Sequence, residues 1–207
     1  MLEDLQRALE STYRIEIDLD VNDFVLSDPG TADALSPDVS RSRESLLVRE
    51  SEAGLELSLY LDAADLERLA EDGPVQHLAD PRLDPFCRTA EGVSHFVMLA
   101  WRAQRQWPVS RFELELQAEV DKYLICRLSG VGEGQPLLDA LFTRVRYRDD
   151  LTIEESGRYR AANDMGHDYC RALAQLDDAD VVREVRRFYR YGQREKVGHI
   201  AALAKAA

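Results

Sequence analysis

Residues 84–128, DPFCRTAEGVSHFVMLAWRAQRQWPVSRFELELQAEVDKYLICRL, constrain the fold more than any other stretch of this chain. Asp84 as a cap and Pro85 at the first helical position open one helix, along which Phe86, Val93, Phe96, Ala100, Ala103 and Trp107 recur at helical spacing. Met98, Leu99 and Trp101 carry apolar surface further round the cylinder. Pro108-Val109-Ser110 then leads into a second long helix with Leu116, Val120 and Tyr123 on one face and Leu114, Ala118 and Ile125 on the opposite one. Helices that are apolar on two sides must be covered on two sides, so the pair is expected to be a central antiparallel hairpin, with both tryptophans in the core.

What covers it is read from the flanking segments. Leu2, Leu5 and Leu9 predict a short first helix over residues 2–12. Ile15, Ile17, Leu19 and Val21 then alternate with polar residues, the period of a strand with one buried face. SDPGTADALSPDVSRSR, residues 27–43, is rich in Ser, Pro, Gly and Asp and reads as a long mobile loop. SLLVRES and LELSLYL flank Glu52-Ala53-Gly54 as a β-hairpin, and Asp62 caps a helix that ends at Gly73-Pro74.

Beyond the central pair, Pro136 opens a helix PLLDALFTRVRYR. Thr152 and Glu155 form a capping box for a long helix reaching about residue 176, and residues 177–180 cap a further helix that Gly192 separates from the last one. The fold class expected is therefore α+β and mostly helical: a small N-terminal antiparallel sheet packed on a bundle of about five helices. At 207 residues, with 45% hydrophobic and 31% charged, the chain has the apolar surface for one domain, its α/β part at 1–80 and its helical part at 84–207.

The start, MLEDLQRALESTYR, lacks a basic leader and an apolar core, and no run of about 18 apolar residues occurs. A cytoplasmic protein away from membranes is expected. Cys87, Cys126 and Cys170 are odd in number and lie in apolar helical patterns, which points to buried thiols rather than disulfides or a zinc knuckle.

The net charge of −13 is unevenly placed, because residues 144–207 hold 13 basic against 11 acidic residues. Within them DVVREVRRFYRYGQREK, residues 180–196, sets Arg183, Arg186, Arg187, Arg190 and Arg194 in one sector of the helix, opposite Val182, Val185, Phe188 and Tyr189. These five arginines are the candidate binding residues, because the planar guanidinium fork matches carboxylate and phosphate oxygens. The first expectation is a non-catalytic interaction or regulatory module whose basic face, or loop 27–43, meets a protein partner. A second is a binder or enzyme for a phosphate-bearing small molecule held by Arg183, Arg187 and Arg190. A third, nucleic-acid binding through Arg186, Arg187 and Arg190, is opposed by the overall negative charge.

Asp164 and His167 share a helix as Asp-x-x-His, but they fall with Arg160 and Arg171 opposite the stripe Ala162, Met165, Tyr169 and Leu173, as a solvated charge ladder does. Glu91 with His95, and Glu115 with Glu119, are each one turn apart and resemble in type the ligands of di-iron carboxylate proteins. Those proteins use Glu-x-x-His twice, whereas the spacing at Glu91 is one residue longer, so pairing at the surface or one satisfied histidine is expected. IEIDLDVND, residues 15–23, resembles the Asp-x-Asp of haloacid dehalogenase-type phosphatases, where one Asp is the nucleophile and the other a general acid/base. The likeness spans these residues alone: Glu16 interrupts the strand, Asn22 replaces Thr or Val, and strands and helices do not alternate afterwards. No catalytic residue, metal or cofactor is therefore expected.

Overall fold

The computed structural model describes residues 1–37, 39–52, 54–70, 74–145 and 147–206. The hairpin expected from residues 84–128 is its axis: α4 (Leu83–Gln104) and α5 (Arg111–Leu128) run antiparallel. Ser110 closes a full capping box, its Oγ accepting from the Glu113 amide while Glu113 accepts from the Ser110 amide. That device fixes where α5 begins.

Both helices are covered on two sides, as their apolar patterns require. On one flank α1 (Leu2–Tyr13) packs on α4 and against α8 (Asp178–Arg190). On another, α7 (Ile153–Leu173), started by the Thr152/Glu155 capping box, lies along α5 and meets α9 (Gln193–Ala206). Shorter helices α2 (Pro29–Leu35), α3 (Ala63–Ala70) and α6 (Gly134–Leu138) complete the set, with a π-helical turn at Asp139–Thr143. One buried apolar cluster runs through these layers from Leu5 to Ile200.

The sheet lies across α4. Strands β1 (Val25–Leu26), β2 (Glu44–Ser51) and β3 (Gly54–Leu61) take the order β1-β3-β2. β2 and β3 form the expected hairpin, with Glu44 opposite Leu61, whereas β1 is parallel to β3. Two expectations are thereby corrected. The sheet is mixed rather than antiparallel throughout, and there are nine α-helices among the described residues rather than about five. The sequence names eight helices segment by segment, and the one it does not name is α2, which forms inside the expected loop because Asp28 caps it, accepting from the Thr31 amide at 2.6 Å, with Pro29 at its first turn.

Ile15, Ile17 and Val21 are buried and Leu19 half-buried, yet the run joins no ladder: it bends at Asp18 and enters a 3-10 turn at Val21–Asp23. Its backbone is satisfied by α1 instead: Gln6 donates to the Leu19 carbonyl and accepts from the Val21 amide, both at 2.8 Å, and Glu10 accepts from the Ile17 amide. Trp101 is buried, but Trp107, packed edge-on against it, is 45% exposed. Parts of four expectations lie outside the described residues, namely Asp38 of the loop 27–43, Ala53 of the hairpin turn, the end of the helix at 71–73, and Arg146 in the segment after Pro136.

Candidate metal centre

Where β2 crosses α4 beside α5 and α7, seven ionisable side chains meet in the interior. α4 supplies Glu91 and His95 one turn apart, α5 supplies Glu115, Glu119 and Lys122, β2 supplies Glu44 from its first residue, and α7 supplies Arg158. The i, i+4 spacings that suggested surface pairs place these groups on the faces where α4 and α5 meet.

His95 is the hub. Its Nδ1 lies 3.3 Å from Glu44 Oε1 and its Nε2 3.7 Å from Glu115 Oε2. Lys122 Nζ sits 3.2 Å from Glu91 and 3.0 Å from Glu119, while Arg158 Nε is 3.8 Å from Glu115. One oxygen each of Glu91 and Glu115 and a ring nitrogen of His95 lie within 4.8 Å of one another.

Burial shapes the charges. Burial opposes protonation of His95, but the carboxylates of Glu44, Glu115 and Glu91 outweigh it and raise its pKa to about 10. Glu115 moves the other way for a carboxylate: burial pushes it up to about 7 against the pull of His95 and Arg158. Burial also raises Glu44 and Glu119, whereas at Glu91 it is overcome by Lys122 and His95, which lower the pKa.

The network is incompletely satisfied. His95 Nε2, Glu119 Oε2 and Arg158 Nε are buried without a hydrogen-bond partner among the described residues. Each such atom carries a desolvation cost of about 1–3 kcal/mol, and a well-packed hydrophobic set would fold at least as well. Two glycines make the approach possible. A Cβ on Gly92 would lie 2.8 Å from Glu44 Cγ and 3.0 Å from Leu59 and Leu61, and one on Gly166 would lie 2.8 Å from Glu119 Cβ. Gly92→Val is accordingly expected to cost about 1–3 kcal/mol and to push Glu44 off His95. Gly157→Ala, with nothing within 4 Å, should instead stabilise by up to about 1 kcal/mol. Thermal unfolding of the two variants checks the contrast.

No protein-family model, no curated protein and no solved structure matches this chain. The reading of the site therefore rests on its geometry. No helix among the described residues is long and apolar enough to cross a membrane.

The five candidate arginines do not share one site. Arg183 pairs with Asp180 and Arg187 with Glu184, both one turn back on α8. Arg186 and Arg190 converge on the C-terminal end of α1: Arg186 donates to the Thr12 carbonyl at 2.7 Å and to Ser11, and Arg190 to Tyr13 and Arg14. Guanidinium groups at a helix C-terminus satisfy its free carbonyls and complement its dipole. Arg194 is exposed on α9.

On α7, Arg160, Asp164 and Arg171 are exposed as the face pattern predicts, while His167 is half-buried and packs on Phe142. Glu44, Lys122 and Arg158 were not anticipated. Lys122 follows Glu119 at i+3 and so was available to the same face reading, but nothing in the local pattern marks Glu44 or Arg158.

Proposed function

We propose that this protein binds one divalent transition-metal ion in its helical core, with Glu91, His95 and Glu115 as the ligands and Glu44 orienting His95 through Nδ1. The observation that carries the reading is a buried histidine nitrogen, His95 Nε2, left without a hydrogen bond 3.7 Å from Glu115, on a ring whose ligand atom clusters with Glu91 and Glu115. Ligands of one ion at about 2.0–2.2 Å from it stand at most about 4.4 Å apart, so donors already within 4.8 Å need small rotamer adjustments together with release of the proton that the surrounding carboxylates hold on His95. A hydrogen bond from the far ring nitrogen to a carboxylate is the usual support of a ligating imidazole, and Glu44 supplies it. Carboxylates with one imidazole suit Mn²⁺, Fe²⁺ or Zn²⁺ rather than the thiolate-seeking ions. Lys122 offsets the charge of Glu119 and of the ligand Glu91, and Arg158 that of the ligand Glu115.

The test strips the purified protein with a chelator and titrates it with Co²⁺, read by visible absorption, and with Zn²⁺ and Mn²⁺, read by calorimetry. One ion per chain is expected, with affinity falling at least 10–100-fold in His95→Gln and Glu115→Gln. Stripped protein that takes up none of the three ions, or takes them up equally well in both variants, would falsify the reading. A role as an interaction module draws its support from Arg183, Arg187 and Arg194, which stand exposed on a chain of net charge −13.

A further inference from the structure

At the turn of the central hairpin, away from the carboxylate cluster, lies a second concave region. It is a depression of about 490 Å³ walled by Trp107, Pro108 and Val109, with Arg102, Glu113, Arg190 and Glu195 supplying charge. The volume falls in the range of small-molecule sites, which combine an apolar wall with a few converging polar groups.

Two of those groups are built into the interior and unfinished. Arg102 and Glu113 are each 4% exposed. They face each other with Arg102 Nη2 3.8 Å from Glu113 Oε1, too far for a hydrogen bond. Arg102 Nη2 instead donates to the Tyr191 carbonyl at 2.6 Å, and Glu113 Oε2 is taken up by the capping box. Arg102 Nε and Glu113 Oε1 thus remain as one buried donor and one buried acceptor without partners among the described residues. The remaining lining is already committed: Ser110 donates to Gln193 at 2.8 Å, Glu195 accepts from the Gly192 amide, and Arg190 is turned toward the end of α1.

Both atoms are closed to solvent as the side chains stand, so a ligand that completes this site must draw the two side chains toward the depression; it needs an acceptor for Arg102, a donor for Glu113 and an apolar body. The lining charges, two positive and two negative, balance, so a ligand of zero net charge carrying both signs fits better than a phosphate dianion. We infer that the depression binds a free α-amino acid with an apolar side chain, its carboxylate on Arg102, its ammonium on Glu113 and its side chain against Trp107 and Val109. The site is independent of the metal reading, since it shares no residue with the carboxylate cluster.

Isothermal calorimetry on the chelator-treated protein tests the assignment with L-phenylalanine, L-leucine and L-methionine as probes. Saturable binding of at least one of them at one per chain is expected. Removing either head group, as in the N-acetyl derivative and the primary amide of that amino acid, should weaken binding at least 10-fold. Arg102→Met should abolish it, and Trp107→Ala, a change at an exposed position, should weaken it several-fold even if the buried Arg102 variant fails to fold. Absence of binding by all three amino acids would overturn the assignment. So would affinity that Trp107→Ala and both blocked derivatives leave unchanged.

Discussion

Asp121→Leu is expected to lower the unfolding free energy by about 3–5 kcal/mol, among the largest losses any single substitution here should produce. Asp121 is 1% exposed at the middle of α5 and accepts three hydrogen bonds, from Tyr13 Oη, from Ser94 Oγ at 2.6 Å and from Gln117 Nε2 at 2.9 Å. Gln117 also donates to Tyr13 at 3.0 Å and accepts from Lys196 Nζ at 2.5 Å. One carboxylate therefore ties α1, α4 and α5 together directly, and α9 through Gln117. Tyr13 in turn stacks on Tyr189 of α8 with ring centroids 3.9 Å apart.

Leucine is close to aspartate in length, so little of the loss comes from a cavity. Most arises because three buried donors lose their acceptor together, while Lys196 loses the stronger of the two negative charges that favour its ammonium. Asp121→Asn keeps the shape and one acceptor oxygen and should recover at least half of the loss. Urea denaturation of the three proteins decides the matter: a leucine variant within about 1 kcal/mol of the parent would mean that the network carries little of the fold's stability.

This network also shows where sequence reasoning stops. The long helices were legible because apolar residues at spacings of three and four, with Ser110/Glu113 and Thr152/Glu155 at the helix starts, are local signals. The run Ile15 to Val21 was half legible. Its alternation correctly gave buried Ile15, Ile17 and Val21, but which groups satisfy its backbone depended on Gln6 and Glu10 of the preceding helix.

The candidate metal centre was legible as pairs and not as a cluster. Glu91 with His95 and Glu115 with Glu119 could be placed on helix faces, and charged faces normally point to solvent. Only the covering of α4 by β2 and of α5 by α7, which joins residues 44 and 158 to the same interior point, turns them inward. The arginines of α8 were legible as a basic face. That two of them terminate α1, about 175 positions away in sequence, was not.

Lys196 carries the second large effect, in the pH dependence of stability. Its side chain is fully buried, with one hydrogen bond to Gln117 and the rings of Phe188 and Tyr189 within 6 Å. The charged groups that act on it are Arg102 of α4 and Asp121 and Glu113 of α5. Burial first, then Arg102, pushes its pKa down from 10.5 to about 7, against the opposing pull of Asp121 and Glu113. Between about pH 7 and 10.5 the unfolded chain therefore holds a proton that the folded protein does not, so this lysine makes stability rise with pH across that window. Below pH 7 both states are protonated and the folded protein bears the whole cost of a buried ammonium. At 1.36 kcal/mol per unit the span is worth about 3–5 kcal/mol. His95, raised to about 10, acts with the opposite sign from about pH 6.5 upward, so the parent protein alone should show a shallow profile. Lys196→Met retains the His95 contribution and removes only the lysine's. The difference between the two proteins, from urea denaturation at intervals from about pH 6 to pH 10, should favour the methionine variant at the acid end and shift steadily toward the parent as pH rises. Parallel profiles would mean that Lys196 keeps its proton in the folded state throughout, held by Asp121 and Gln117 more strongly than burial expels it.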